Sequence, residues 1–211
     1  MRKSITVVTP EAADLVTLSA MKAFLRVDGS DEDDIITEFI AAATEEAKNY
    51  TKRSLINRTL KFTLDRIPPR EHKEWWDGVR QASISVLHGD SDSITLPFPN
   101  LQSVTSFVTY DDADNASTFD ASNYGADTAG ARIYLKQGDT WPSDLRDHAA
   151  IEITYVSGYG ATAADVPSSI ISAVKMHVME MYEMRKFCDI PAGSCKLLSR
   201  YRIMDGLSYN G

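Results

Sequence analysis

Apolar residues recur at three- and four-residue steps near the start of the chain, which is typical of helices with one buried face. Thr17 is suited to cap a short helix, and the apolar positions of that helix are Leu18, Met21, Phe24 and Leu25. Asp28-Gly29-Ser30 breaks the pattern, and acidic residues then favour a second helix start. One stripe follows up to residue 54, formed by Ile36, Phe39, Ile40, Ala43, Ala47 and Tyr50.

The hydrophobic period changes to two residues at Arg58, where Leu60, Phe62 and Leu64 alternate with polar positions. Further short strands are predicted between clusters of Asp, Asn, Gly and Pro, at 83–87, 93–96, 102–110, 131–136 and 150–157. Nothing between these segments is long and helical enough for a parallel crossover. The pattern therefore predicts antiparallel sheet.

A helical period returns after Asp165-Val166-Pro167, where the proline suits a first helical turn. Its stripe continues to about residue 187 and consists of Ile170, Val174, His177, Val178, Met181 and Tyr182. A last short helix is predicted over 196–204. The fold class predicted is α+β, a small helical bundle from N- and C-terminal segments with an antiparallel β-rich insertion. The domains predicted are a helical body of residues 1–56 and 166–211 and an insertion of residues 57–165.

Composition and charge exclude several classes of protein. Hydrophobic residues make up 43% and charged residues 25%, which is ordinary for a globular chain. The formal net charge of −8 opposes general binding to DNA or to anionic membranes. The sequence contains neither an apolar run long enough for a membrane span nor the apolar core of a signal peptide. Two cysteines without histidines at ligand spacing favour a reduced, cytosolic chain.

No common catalytic, nucleotide-binding or zinc-protease motif is present in the sequence. The acidic run from Asp28 lacks the glycine and glutamate of a calcium loop, since Asp33 and Phe39 stand at those places. Trp75 and Trp76 could stack on a sugar, although closing the edge of a sheet or forming a subunit contact is the favoured interpretation. We therefore expect no catalytic residue, no cofactor and no metal. A hydrolase acting on carbohydrate through the Asp-rich loops is kept as an alternative.

The C-terminal tail interleaves basic and apolar residues, with Lys196, Arg200 and Arg202 among Leu197, Leu198, Tyr201 and Ile203. This pattern suits a partly solvated terminal helix. It equally suits a docking segment whose apolar side chains enter a groove of a partner.

An ordered set of segments carries a family resemblance. The set consists of Leu18–Asp28, Asp31–Ile36, Tyr50-Thr51 with Arg53, Leu96–Val104, Gly158-Tyr159-Gly160, Val166–Ile170, Tyr182-Glu183 with Arg185, Leu197-Leu198 and Tyr201-Arg202. Over about residues 15 to 204, it resembles the phage head–tail connector (adaptor) proteins, the portal-associated neck proteins of tailed phages and prophages. Lys52 stands where the family often has glycine, and the stretch from Cys188 to Cys195 has no clear counterpart.

The resemblance implies a structural virion protein rather than an enzyme. Such proteins bind the portal protein as a ring, generally of twelve copies, after DNA packaging. They extend the DNA channel and provide the platform for the next neck or tail protein, a stopper or tail-completion protein. The helices form the ring body and the insertion faces outward or toward the next neck protein. By this resemblance the tail contacts the portal through Leu197, Leu198, Arg200, Tyr201 and Arg202.

Further expectations follow from the same resemblance. The protein is expected in the virion neck after assembly in the host bacterial cytoplasm, and DNA is expected to pass without specific binding, which the acidic charge suits. The isolated subunit is expected to stay monomeric until it meets the portal. The related alternative is another neck or tail-completion protein of the stopper type.

Overall fold

The computed structural model describes residues 3–67 and 93–203. These residues form two compact units. The β unit contains residues 3–8, 59–67 and 93–156, and the helical unit contains residues 9–58 and 157–203. The predicted strand at 83–87, Trp75, Trp76 and the chain beyond Ile203 lie outside the described residues.

The helical unit contains four α-helices among its described residues: α1 Leu18–Leu25, α2 Asp33–Thr51, α3 Ser168–Met184 and α4 Ala192–Leu198. As expected, Thr17 caps α1, because its hydroxyl accepts a hydrogen bond from the Ala20 N–H. Lys52 follows α2 with a left-handed φ of 54°. Glycine is the usual residue in this conformation, so the chain makes the same helix end with a lysine.

α2 and α3 share one hydrophobic core in the helical unit. Its buried side chains include Met21, Ile36, Phe39, Ile40, Ile170, Val174 and Met181. Leu18 and Leu25 are half-buried against this core. The assignment of Phe24 to the core is wrong, since its side chain is 44% exposed. At 3.6 residues per turn, Phe24 lies roughly 100° around the helix from Leu25, outside the stripe that Met21 and Leu25 define.

The β unit is built on two sheets. The five-stranded sheet has the order β1-β2-β8-β4-β5 and the three-stranded sheet has the order β3-β7-β6. The strands are β1 Lys3–Thr9, β2 Arg58–Leu64, β3 Ser93–Thr95, β4 Leu101–Tyr110, β5 Ala116–Thr118, β6 Tyr124–Asp127, β7 Arg132–Leu135 and β8 Ile151–Ser157. The β3–β7, β4–β5 and β6–β7 pairs are antiparallel. The predicted α+β class with antiparallel sheet is confirmed.

The apolar side chains that alternate along the sequence form the core of the β unit. Leu60, Phe62 and Leu64 of β2 are buried, as are the matching positions Ile151, Ile153 and Tyr155 of β8. Four aromatic rings close the core beside β4, with centroid separations of 5.2 to 5.9 Å; they are Phe107, Phe119, Tyr124 and Trp141. The Tyr155 hydroxyl donates a hydrogen bond to the Pro97 carbonyl at 2.5 Å.

The structure departs from the sequence expectations at several elements. Residues 3–9 were assigned to the helical body, yet they form an edge strand of the five-stranded sheet. β5 and β6 were not expected, because strands of three or four residues carry too few positions to establish a period. The last helix begins at Ala192 rather than at the predicted residue 196.

Candidate assembly surfaces

Large apolar side chains lie exposed along the outer face of α3 and just beyond its end. They are Met176, Met179, Met184 and Phe187. Phe24 of α1 is also exposed, and the Lys175 ammonium lies 5.9 Å from the centre of its ring. Concentrations of exposed apolar side chains on one element mark surfaces that bind other proteins. We call Phe24, Met176, Met179, Met184 and Phe187 the apolar surface of the helical unit.

Phe187 is the most exposed member of this apolar surface, at 62%. Its ring nevertheless packs edge-on against buried Phe39, with centroids 5.3 Å apart. The ring is therefore held in place while much of it faces solvent. Methionine side chains adapt their shape to a partner, so this fixed phenylalanine and the exposed methionines of α3 suit a protein contact.

The outer face of α2 is acidic. Asp34, Glu38 and Glu45 follow at four- and seven-residue steps, so they lie on one side of the helix, and all three are exposed. Ala41 occupies the remaining place in this row. A row of carboxylates repels phosphate groups. We call Asp34, Glu38 and Glu45 the acidic row.

The predicted tail residues fold back on their own subunit. The guanidinium of Arg53 donates to the Tyr201 carbonyl at 2.7 Å, and the Ile203 N–H donates to the Thr51 carbonyl at 3.2 Å. The Arg202 guanidinium lies 5.1 Å from the centre of the Tyr50 ring. The tail is thus attached to the C-terminal end of α2 by backbone and side-chain contacts.

The assignment of Leu198 as an apolar anchor for a partner is wrong. Its side chain is 1% exposed within the hydrophobic core of the helical unit, and Leu197 is half-buried against the same core. Ser194, one turn earlier in α4, fixes the helix by donating to the Ala173 carbonyl at 2.8 Å. Arg200 is exposed, so it is the predicted contact residue best placed to meet another protein.

The Asp-rich loops of the β unit stabilise turns. Asp111 accepts hydrogen bonds from the side chain and backbone N–H of Asn115, which lower the pKa of its carboxyl. The Gly130 N–H, followed by Arg132, lowers the pKa of Asp127. A general acid for glycoside hydrolysis needs a raised pKa. These carboxylates therefore suit turn formation rather than proton transfer.

One carboxylate of the acidic run at the start of α2 is paired with a lysine of the same chain. The Lys22 ammonium lies 2.5 Å from an Asp33 carboxylate oxygen and also bonds the Gly29 carbonyl. An ammonium thus stands among the oxygens that a cation would need. Within residues 3–67 and 93–203, no cluster of three potential metal ligands occurs. None of the helices in these ranges has the length and apolar character required to cross a bilayer.

His177 has a structural contact rather than a catalytic one. It is buried on α3, and its Nε2 lies 2.9 Å from the Cys188 carbonyl oxygen. This contact joins α3 to the segment that leads into α4. Both cysteines are partly buried and free, and burial, as the main cause, raises the pKa of the Cys188 thiol. A raised pKa reduces the fraction of the Cys188 side chain that is thiolate at neutral pH.

Comparisons with known proteins identify a related family and related folds. Residues 15–109 match the family described as phage gp6-like head-tail connector protein. The resemblance predicted from the sequence is thereby confirmed, and the matching family is one of structural connector proteins and not of enzymes. A search of curated protein sequences found no significant match.

Chains in solved structures of gene transfer agent (GTA) particles share the fold. The chain matches a protein in the neck of an empty GTA particle, computed with C6 symmetry, with a TM-score of 0.71 and 22% identity over 95% of this chain and 96% of the other. A chain in the neck of the native GTA particle, computed with C12 symmetry, gives 0.66 and 22% over 95% and 96%. A chain in the virion of the native gene transfer agent gives 0.68 and 21%, over 95% of each chain. Both units therefore have the fold of a neck protein.

Sequence reasoning missed two exposed surfaces. The methionines at 176 and 179 lie beside the predicted stripe of α3, and their spacing alone does not distinguish a core side chain from an exposed one. β1 carries Ile5, Val7 and Val8, all exposed. The signal for this strand was present as a run of β-branched residues from Ile5 to Thr9. Trp75 and Trp76, the expected subunit contact, stay a prediction because they lie outside the described residues.

Proposed function

We propose that this protein is a head–tail connector that binds the portal, forms a ring extending the DNA channel, and carries the next neck or tail protein. The single observation that supports this most strongly is the fold match over 95% of the chain to proteins in the necks of GTA particles. A ring of twelve copies would correspond to the C12 symmetry of one of those necks. The site of action would be the virion neck, after assembly in the host bacterial cytoplasm.

The apolar surface supports an assembly role for the helical unit. A neck subunit has to contact other subunits on several sides, and Phe24, Met179 and Phe187 present apolar area that its own chain leaves exposed. Contacts in a closed ring are heterologous, so one patch on a subunit meets a different patch on its neighbour. The apolar surface is one such patch.

The acidic row supports a conduit role. DNA that passes through a neck must not be retained, and retention by a protein surface grows with the number of phosphates that basic side chains neutralise. A channel surface with Asp34, Glu38 and Glu45 exposed would offer no such contacts. We assign the channel-facing side of the ring to α2 on this ground.

The portal contact is assigned to the exposed part of the tail. Arg200 offers a guanidinium that can bind a carboxylate through two hydrogen bonds, with half-buried Leu197 nearby in α4. Tyr201 and Arg202 bind the end of α2 within the subunit, so they would position Arg200. Leu198 would contribute to portal binding only by stabilising the fold of the subunit.

The proposed function is tested by mixing the purified full chain with its cognate portal protein and imaging the mixture by negative-stain electron microscopy. We expect portals capped by an added ring of density. Arg200→Glu should abolish capping without changing the thermal unfolding midpoint. The matched charge reversal Arg66→Glu, at an exposed position of the β unit, should leave capping intact. Uncapped portals with the wild-type chain would overturn the proposal.

A further inference from the structure

We propose that β1 and β5, the opposite edges of the five-stranded sheet, pair with each other between neighbouring copies of this chain, so that the sheet continues from one subunit to the next. This inference rests on the proposed function, because it concerns contacts within the ring. The inference assigns a contact between ring subunits to the β unit, in addition to those proposed for the helical unit.

β1 is an edge strand with one side open. It is the first strand in the order β1-β2-β8-β4-β5, so no described strand lies beyond it. All seven of its residues are exposed. Ile5, Val7 and Val8 are 40%, 46% and 53% exposed, although each is an apolar side chain. The edge therefore offers both backbone hydrogen-bonding groups and apolar side chains to an incoming strand.

The sequence of β1 lacks the features that keep edge strands from pairing. Natural edges are protected by proline, by central charges, by bulges or by short length. β1 is seven residues long, contains neither proline nor glycine, and carries one charge, Lys3, at its start. Five of its residues are β-branched. An edge strand of this composition is open to pairing with another strand, so a specific partner is expected to cover it in the assembly.

The opposite edge of the same sheet is chemically complementary to β1. The side chains of β5, Ala116, Ser117 and Thr118, are small and exposed. The turn before β5 holds Asp111, Asp112 and Asp114. Asp111 is fixed there, because it accepts hydrogen bonds from the Ala113 and Asn115 N–H groups. In a parallel pairing of β1 with β5, Lys3, at the start of β1, would lie beside this acidic turn, in which Asp114 also binds Arg146 of its own chain.

Pairing of two different edges leads to a ring, whereas pairing of β1 with β1 leads only to a dimer. A heterologous contact repeats from copy to copy and forms a closed ring when the rotation between copies permits. An isologous contact occupies the same edge of both copies, so it joins only two. β5 is three residues long, so each contact would contain few hydrogen bonds. An isolated pairing of this size is weak in water. Subunits would therefore stay apart in solution and pair once the portal holds them side by side.

Cysteine cross-linking on the portal tests the pairing. The background variant is the full chain with Cys188→Ala and Cys195→Ser, and Val7→Cys and Ser117→Cys are added singly and together. Capped portals are treated with a short bis-maleimide and analysed on a denaturing gel. We expect a ladder of covalent oligomers from the double variant and monomers from each single variant. Thr6→Cys with Ser117→Cys repeats the test from the other face of β1.

The outcomes separate this inference from the proposed function. A covalent dimer from Val7→Cys alone would mean that β1 pairs with β1, and it would overturn the inference. Portals that are capped yet give no cross-link with either cysteine pair would overturn the inference and leave the proposed function standing. Portals that stay uncapped would overturn both.

A charge placed in the middle of β1 provides an independent test. Val7→Lys introduces a protective central charge at an exposed position, so the subunit should fold with an unchanged unfolding midpoint while ring formation on the portal is lost. Ala126→Lys is the matched control, since it places the same charge at the exposed position of β6, an edge strand of the three-stranded sheet. Undiminished rings with Val7→Lys would contradict the proposed pairing.

Discussion

Glu32 and Arg185 join the start of α2 to the end of α3: the Arg185 Nη2 atom lies 2.7 Å from a Glu32 carboxylate oxygen. The other Glu32 oxygen accepts a hydrogen bond from the Tyr182 hydroxyl. Glu32 stands immediately before α2, and Arg185 ends α3 in a left-handed conformation with φ 52°. One carboxylate thus ties together two helix ends that are about 150 residues apart in the sequence.

The Glu32 contacts predict a pH dependence of stability. The hydrogen bond from Tyr182, and then the contacts with Arg185, lower the pKa of Glu32 below its ordinary value of 4.5. Because the folded state binds this proton less readily than the unfolded state, the contribution of Glu32 is complete well above pH 4.5 and disappears as the pH falls below it. We expect Glu32→Gln to lower the thermal unfolding midpoint at pH 7, and the difference from wild type to shrink below pH 4.5. Glu38→Gln, on the exposed face of α2, is the matched control and should leave the unfolding midpoint at pH 7 unchanged.

Phe24 and Met21 provide a matched pair on α1. Met21 is fully buried, so Met21→Ala should reduce the free energy of unfolding by about 2–5 kcal/mol. Phe24 is exposed, so Phe24→Asp should give a folded, soluble protein that loses less than about 1 kcal/mol. Urea denaturation measures both values. If Phe24→Asp unfolds the protein, the position of Phe24 outside the core is wrong.

Substitutions at Leu198 and Arg200 distinguish the contribution of the tail to folding from its proposed contribution to assembly. Leu198→Ala should reduce the free energy of unfolding by about 2–5 kcal/mol, since it leaves a cavity in the helical core. Arg200→Ala should change it by less than about 0.5 kcal/mol. A chain truncated before Lys196 should likewise be destabilised, because it loses Leu198. Equal stability of the truncated and full-length chains in urea denaturation would contradict the structure.

Gly158 allows a close approach of two backbone segments. A Cβ atom at this position would lie 2.5 Å from the Asn57 nitrogen and 2.6 Å from its Cα, and these backbone atoms cannot move aside easily. Gly158→Ala should therefore reduce the free energy of unfolding by about 1–3 kcal/mol or more.

Gly125→Ala is the control for this effect. Its Cβ would meet the Tyr134 side chain, which is exposed and can rotate away, so the loss should stay below about 1 kcal/mol. Thermal or urea denaturation of the two variants measures the contrast. Equal losses would show that the approach of Gly158 to Asn57 is not tight.

The sequence predicted an element correctly where a hydrophobic period continued over many residues and one face of the element was buried. α2, α3, β2 and β8 each have one buried face, and their apolar stripes or alternation placed them within a few residues. β1 was missed because both of its faces are exposed, so burial imposes no alternation on it. A hydrophobic pattern reflects packing within one subunit. It therefore does not reveal a strand whose side chains are exposed on that subunit.

The assembly surfaces were harder to predict than the fold for a related reason. Leu197 and Leu198 are adjacent and chemically identical, yet only Leu198 is fully buried, since α4 begins at Ala192 and thereby fixes which side faces the core. The family resemblance implies that the tail is a contact segment, but it does not indicate the direction of the side chains. The sequence does not distinguish an exposed phenylalanine from a buried one, which is why the assignment of Phe24 to the core is wrong.

The division of the helical unit into two distant segments has a consequence for synthesis. α2 ends at Thr51 and α3 begins at Ser168, so a ribosome adding about 5–20 residues per second needs on the order of 5 to 20 s to supply the second segment after the first. During that interval the stripe of Ile36, Phe39 and Ile40 has no α3 to cover it. The nascent chain should therefore be a client of ribosome-associated chaperones, and its yield should depend on them more than that of a protein whose core residues are contiguous.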